Sequence, residues 1–235
     1  SMARFKAVQV CNILSENMTP AIWKLLAQAI YDEIKEGARG IVVTHGTDTM
    51  AYSAAAMSFM LKTPVPIVFV GSQRSADRPS SDNTMNGLCA AKAALSDLGE
   101  VVVVMHGTTN DDICTIHRGT KVRKMHTSRR DAFQTIGDEI AGTVTYPSLE
   151  VSLASHAVKR GTNELALMDK LEEKCAIVWY YPGMDPAILS AWKGYRGIVL
   201  VGTGLGHVGT HMVGSIREMS KAGTTFVMVS QCLDE

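Results

Sequence analysis

Two rhythms alternate along this chain. Short β-branched runs give way to stretches in which apolar residues recur every three or four positions. Val8 to Leu14 reads as a strand with Asn12 inside it, and Ser15-Glu16-Asn17 is a polar cluster at its carboxyl end. Thr19-Pro20 predicts a helix start, with threonine as cap and proline at the first helical position. Ile22, Trp23, Leu26, Ala29, Ile30 and Ile34 keep helical spacing, and Gly37 closes the element. Ile41 to Val43 is the next strand, which makes a βαβ unit with a right-handed crossover.

The pattern repeats downstream. Thr49 to Met60 is helix-like and rich in Ala and Met; Pro64 and Pro66 end it. Ile67 to Val70 predicts a strand, Asn83 to Leu95 a helix, and the valine run Val101 to Met105 a central strand. Ile136 to Arg160 is weakly patterned. Its turn residues Gly137, Gly142 and Pro147 suggest a linker or an excursion, with a short strand near Ser148 to Leu153. From Lys174 the alternation restarts, with strands at Cys175 to Tyr180, Gly197 to Val201 and Thr225 to Ser230. Helices are expected at Ile188 to Trp192 and Met212 to Ala222. The expected fold is α/β: an open, mainly parallel sheet with helices on both faces in residues 1–160, a linker at 161–173, and the start of a smaller α/β domain in 174–235.

Composition narrows the function classes. The chain has 235 residues, 46% apolar and 20% charged, enough for a sizeable core. Its formal net charge is zero, so nothing draws the whole chain to nucleic acid or anionic lipid. The five cysteines are odd in number and form no CxxC pair, which argues against a disulfide framework or a zinc site and for a reducing, cytoplasmic setting. No apolar run reaches membrane-spanning length. The turn Gly202-Thr203-Gly204-Leu205-Gly206-His207 lacks dinucleotide-binding spacing, and no phosphate-loop motif is present. His207 and His211 are four apart, but Gly206 and Gly209 speak against a helix there, so no metal site is expected.

Candidate chemistry collects at the carboxyl ends of the predicted strands, where open α/β sheets bind ligands. After Ile41 to Val43 come Thr44, His45, Gly46, Thr47, Asp48 and Thr49: hydroxyls and a carboxylate on one turn, able to orient a polar substrate or polarise a hydroxyl. The alternative is that Thr47 or Asp48 only caps the next helix. After Ile67 to Val70 comes the long polar loop Gly71 to Asp82, and after Val101 to Met105 comes His106-Gly107. Arg118 to Arg130 is the most basic segment. It reads either as a solvated face or as a phosphate or RNA contact, with Lys124 alternatively pointing inward. Arg74, Arg78, Arg129 and Arg130 could instead pair with Asp77, Asp82 and Asp131.

Thr44 to Met50, THGTDTM, resembles the second signature of the bacterial-type L-asparaginase family. Asn12 to Met18 is similar to that family's substrate-binding segment, and Val122 to Phe133 to the segment holding its catalytic lysine. Gly71 to Asp82, Val122 to Phe133 and Leu171 to Pro186 further resemble the tRNA-linked branch, the D subunits of archaeal glutamyl-tRNA(Gln) amidotransferases; ordinary asparaginases usually differ at the first two. The resemblance implies amide hydrolysis by a threonine hydroxyl. Thr47, Asp48 and Lys124 match the family's second triad, and Ser15, Glu16 and Gly46 its substrate-binding positions. It also implies ammonia released from glutamine for a partner subunit, which uses ATP and Mg2+ to convert Glu-tRNA(Gln) to Gln-tRNA(Gln). No cofactor is expected in this chain. Contact with tRNA is expected mainly through the partner, no membrane is involved, and a homodimer is implied.

The family's first signature, a turn carrying another threonine, has no match here. Ser1-Met2 reads as an added leader before an internal start, and the chain stops just after a strand. The expectation is a piece shortened at both ends, lacking the first strand of the N-terminal domain, with impaired turnover. The competing expectations are a free L-asparaginase acting on asparagine, and a fragment that binds a ligand or partner without turnover.

Overall fold

The computed structural model describes residues 3–233. Ser1-Met2, and Asp234 and Glu235 at the other end, lie outside the described residues. The chain divides into two compact units, Ser1–Asp169 and Lys170–Glu235. The segment read as a linker at 161–173 is thus divided, and its first part is tied into unit one.

Helix α1 (Pro20–Lys35) begins as its sequence predicts, with Thr19 Oγ1 accepting from Ile22 N. It ends at Gly37, whose φ of +102° lets Gly37 N and Ala38 N bond back to Ile34 O and Glu33 O. Strand β1 (Ile41–Thr44) follows, then α2 (Met50–Met60), which buries Met50, Ser53, Ala54, Met57 and Met60. The short β2 (Leu61–Lys62) leads to β3 (Ile67–Val70), and α3 (Asn83–Ala94) to β4 (Val101–His106). Every residue of β3 and β4 is buried, because α2 packs on both strands and α3 also contacts both. The strands β1, β3 and β4 pair in parallel, with Ile41 beside Ile67 and Ile67 beside Val101.

From there the sheet turns antiparallel. Strands β5 (Ile113–Arg118), β8 (Gly142–Thr145) and β9 (Val151–Leu153) complete the order β1-β3-β4-β5-β8-β9. Between them β6 (Val122–Lys124) and β7 (Phe133–Thr135) form a separate hairpin. β10 (Ala166–Leu167) pairs with β2. Residues 136–160 are therefore not a linker: Val144 and Ala157 belong to the same core cluster as Val68, Val104 and Ile116. The strand expected at Val8 to Leu14 does not form. That segment is mostly exposed and pairs with no strand among the described residues, and a strand persists only through its partner's hydrogen bonds.

Unit two is a three-stranded parallel sheet of β11 (Cys175–Trp179), β12 (Gly197–Gly202) and β13 (Thr225–Ser230). Helix α4 (Val213–Lys221) connects the last two, and Ala176, Val178, Leu189, Ile198, Leu200 and Met212 make the core. The helix expected at Ile188 to Trp192 is a 3₁₀ segment from Pro186 to Trp192, started by Asp185, whose Oδ1 accepts from Ala187 N.

Candidate active site

The turn after β1 has a structural reason for each of its residues. His45 Nδ1 donates to Gly46 O at 2.7 Å, while its Nε2 accepts from Ser53 Oγ at 2.8 Å. Trp23 Nε1 donates to the same Ser53 Oγ at 2.9 Å. Burial lowers the pKa of His45, against the opposing pull of the Gly46 carbonyl, which keeps the ring neutral as this relay requires. At Gly46 the chain passes against Ser15; a Cβ there would lie 2.8 Å from Ser15 Cβ. Thr49 Oγ1 donates to Ser15 O at 2.7 Å. The Ser15 segment is thus fastened to the turn at two points, although 34 residues separate Thr49 from Ser15.

Thr47 and Asp48 do not hold the cap position of α2, which is Thr49. They reach across to Lys124 on β6, whose Nζ donates to Thr47 Oγ1 at 2.9 Å and to Asp48 Oδ1 at 2.7 Å. The lysine side chain is 14% exposed, so the alternative of a solvated basic face fails for this residue. Asp48 is 69% exposed, and screening there makes the ion pair a device of orientation rather than of stability. Glu16 is exposed in the 3₁₀ turn Ser15–Asn17, whereas Ser15 is buried. A cleft of about 340 Å³ opens at the carboxyl ends of β1 and β3, lined by Thr44, His45, Gly46, Gly71, Ser72 and Asn83.

The polar loop Gly71 to Asp82 is organised by a carboxylate that sequence reading treated only as an arginine partner. Asp82 is fully buried. It accepts from Ser72 Oγ, Gln73 N, Arg74 N and Asn86 Nδ2, each at 2.8 to 2.9 Å. Burial alone would raise its pKa; the bonds from Gln73, Arg74 and Ser72 outweigh that and hold it below the usual carboxylate value. Of the arginine pairs considered, Arg129 does pair with Asp131, while Arg130 pairs with Asp111 instead. His211 Nε2 lies 3.0 Å from Met184 O, and no group of three metal-ligating side chains occurs among the described residues.

Comparison with known proteins now bears on this geometry. The family model described as Asparaginase, N-terminal matches residues 1–157, and that described as Glutaminase/Asparaginase C-terminal domain matches residues 174–235. The chain belongs to the asparaginase family.

Among curated relatives, the D subunit of the glutamyl-tRNA(Gln) amidotransferase from Methanosarcina mazei is 57% identical over 99% of this chain and 55% of its own length. Its namesake from Archaeoglobus fulgidus is 55% identical over 94% of this chain and 53% of its own. The chain spans about half the length of these relatives. Among solved structures, the thermostable L-asparaginase from Thermococcus kodakarensis superposes with a TM-score of 0.83 at 30% identity, covering 95% of this chain and 66% of that one. A probable cytoplasmic L-asparaginase from Campylobacter jejuni gives 0.84 at 27% identity, covering 98% and 74%. The asparaginase-like α/β fold and the resemblance drawn from THGTDTM are thereby established. The Trp23–Ser53–His45 relay and the Asp82 hub were missed by sequence reading. Their only advance signal is a histidine directly before the turn and an aspartate at the end of a long polar loop.

Proposed function

We propose that this chain is the amide-hydrolysing part of a glutamine-dependent, tRNA-linked amidotransferase. The observation that carries the reading is Lys124 Nζ held at 2.9 Å from Thr47 Oγ1 and 2.7 Å from Asp48 Oδ1, beside an open cleft. A cation donating to a hydroxyl oxygen favours the alkoxide, and Asp48 fixes the lysine for that task. In this reading a hydroxyl oxygen attacks the side-chain amide carbon, the C–N bond breaks, and ammonia leaves with the transferred proton. Water then cleaves the acyl-enzyme ester to the free acid. Ser15 and Glu16 hold the substrate's α-amino and α-carboxylate groups, with Gly46 leaving room for Ser15 beside the turn.

Glutamine is the favoured substrate because relatives named as amidotransferase subunits are 57% and 55% identical, against 30% for the asparaginase structure. The ammonia would pass to a partner subunit that holds ATP and Mg2+ and carries most of the tRNA contact, and the chain would act as a homodimer. Ammonia release from L-glutamine and from L-asparagine by the gene product carrying this chain tests the reading. Preference for glutamine supports it. Preference for asparagine would replace it with a free asparaginase, and binding without ammonia release would replace it with a ligand-holding module.

A further inference from the structure

Behind the cleft lies a second polar chain, centred on a histidine that the proposed chemistry does not use. His106 ends β4 and is fully buried. Its Nδ1 is 2.6 Å from Asn86 Oδ1, and its Nε2 is 3.1 Å from Asp111 Oδ1.

What each neighbour offers this ring follows from its own partners. The Asn86 amide cannot be turned round, because its Nδ2 donates to Gly71 O at 3.0 Å and to Asp82 Oδ2 at 2.9 Å, and both of those atoms only accept. Asn86 therefore shows His106 an oxygen, which also accepts from Cys114 Sγ at 3.5 Å. On the other side, Asp111 Oδ1 accepts from Arg130 Nη1 at 2.6 Å, which marks it as an acceptor too. Both ring nitrogens thus face acceptors. His106 joins a buried amide on one side to a carboxylate that is 60% exposed on the other.

We propose that His106 acts as a positioning residue, tying together the loop at 71–82, the loop after β4 and the loop at 125–131. Through Asn86 it reaches Asp82 and the loop at 71–82. Through Asp111 it reaches the loop after β4, and through Arg130 the loop at 125–131 that directly follows Lys124. Gln73 Nε2 closes the circuit by donating to Arg129 O at 2.9 Å. The catalytic consequence rests on the amidase reading above; the loop coupling does not.

The test measures hydrogen exchange in the loops at 71–82 and 125–131, in the wild type, in His106→Gln and in Asp111→Ala. Asp111 is 60% exposed, so its replacement should keep the fold and still speed exchange in both loops. His106→Gln should speed exchange in both loops by roughly tenfold or more, as losing bonds to charged partners predicts, and leave β11 to β13 unchanged. It should lower kcat for ammonia release by about tenfold to a hundredfold, the scale set by small misplacements of catalytic groups, with a smaller change in KM. Unaltered exchange in the two loops overturns the proposal. Asp111→Ala decides it even if His106→Gln does not fold. If the wild type releases no ammonia, only the amidase reading falls, and the exchange results still judge this one.

Discussion

Protonation of His117 should couple the stability of the first unit to pH, and the effect can be sized. His117 lies on β5 with 2% of its surface exposed. Its Nδ1 is 2.8 Å from Thr135 Oγ1, and its Nε2 has no hydrogen-bond partner among the described residues. Burial therefore pushes its pKa down from an ordinary 6.5 to about 4. The fold favours the neutral ring, so as pH falls the unfolded chain takes up the proton first. The stabilisation is complete above the ordinary value, is lost as pH drops from there towards about 4, and changes no further below that. The full gap is worth about 3 kcal/mol, and roughly 2 kcal/mol of it should be gone by about pH 5. Urea unfolding of the wild type and of His117→Phe, at about pH 7.5 and about pH 5, isolates this part. Groups with similarly lowered pKa values, His45 among them, cancel in the difference. The wild type should lose roughly 2 kcal/mol more than the variant between the two conditions. Parallel losses in the two proteins would refute the reasoning, and would mean that water or movement of the strand satisfies Nε2.

Three further outcomes follow from the site. Lys124→Met should lower kcat for ammonia release by about a hundredfold or more, the scale of a lost proton-handling group, while circular dichroism stays unchanged. Gly46→Ala sets a Cβ 2.8 Å from that of Ser15, whose segment is tied down by Thr49, so it should cost about 1–3 kcal/mol in urea melts and weaken glutamine binding by calorimetry. Asp82→Ala strips four donors of their acceptor and should cost at least about 2 kcal/mol at neutral pH. Because the Asp82 pKa is held below its ordinary 3.8, the part of that stabilisation due to its charge is present above this value and lost as pH falls below it, so the gap between acid melts of the two proteins should narrow there.

What the sequence determined by itself was local. Thr19-Pro20 and Gly37 set the two ends of α1, and the apolar runs placed β1, β3, β4 and the strands of unit two to within a residue or so. These features depend on contacts within a few residues, which periodicity and capping chemistry report directly. THGTDTM named the turn that carries Thr47 and Asp48, and the resemblance named Lys124. Tertiary structure decided the remainder. Lys124 meets Thr47 across 77 positions, and no spacing rule chooses between an inward lysine and a solvated one. Strands β5, β8 and β9 are irregular in sequence, and form because each is received in turn, β5 by the open edge of β4, β8 by β5 and β9 by β8; Val8 to Leu14 has the better strand pattern and no strand partner among the described residues. Asp82 could have paired with an arginine, and His106 could have been an ordinary core histidine. Burial fixed both roles, since a polar group taken out of water must find its partners wherever the fold brings them.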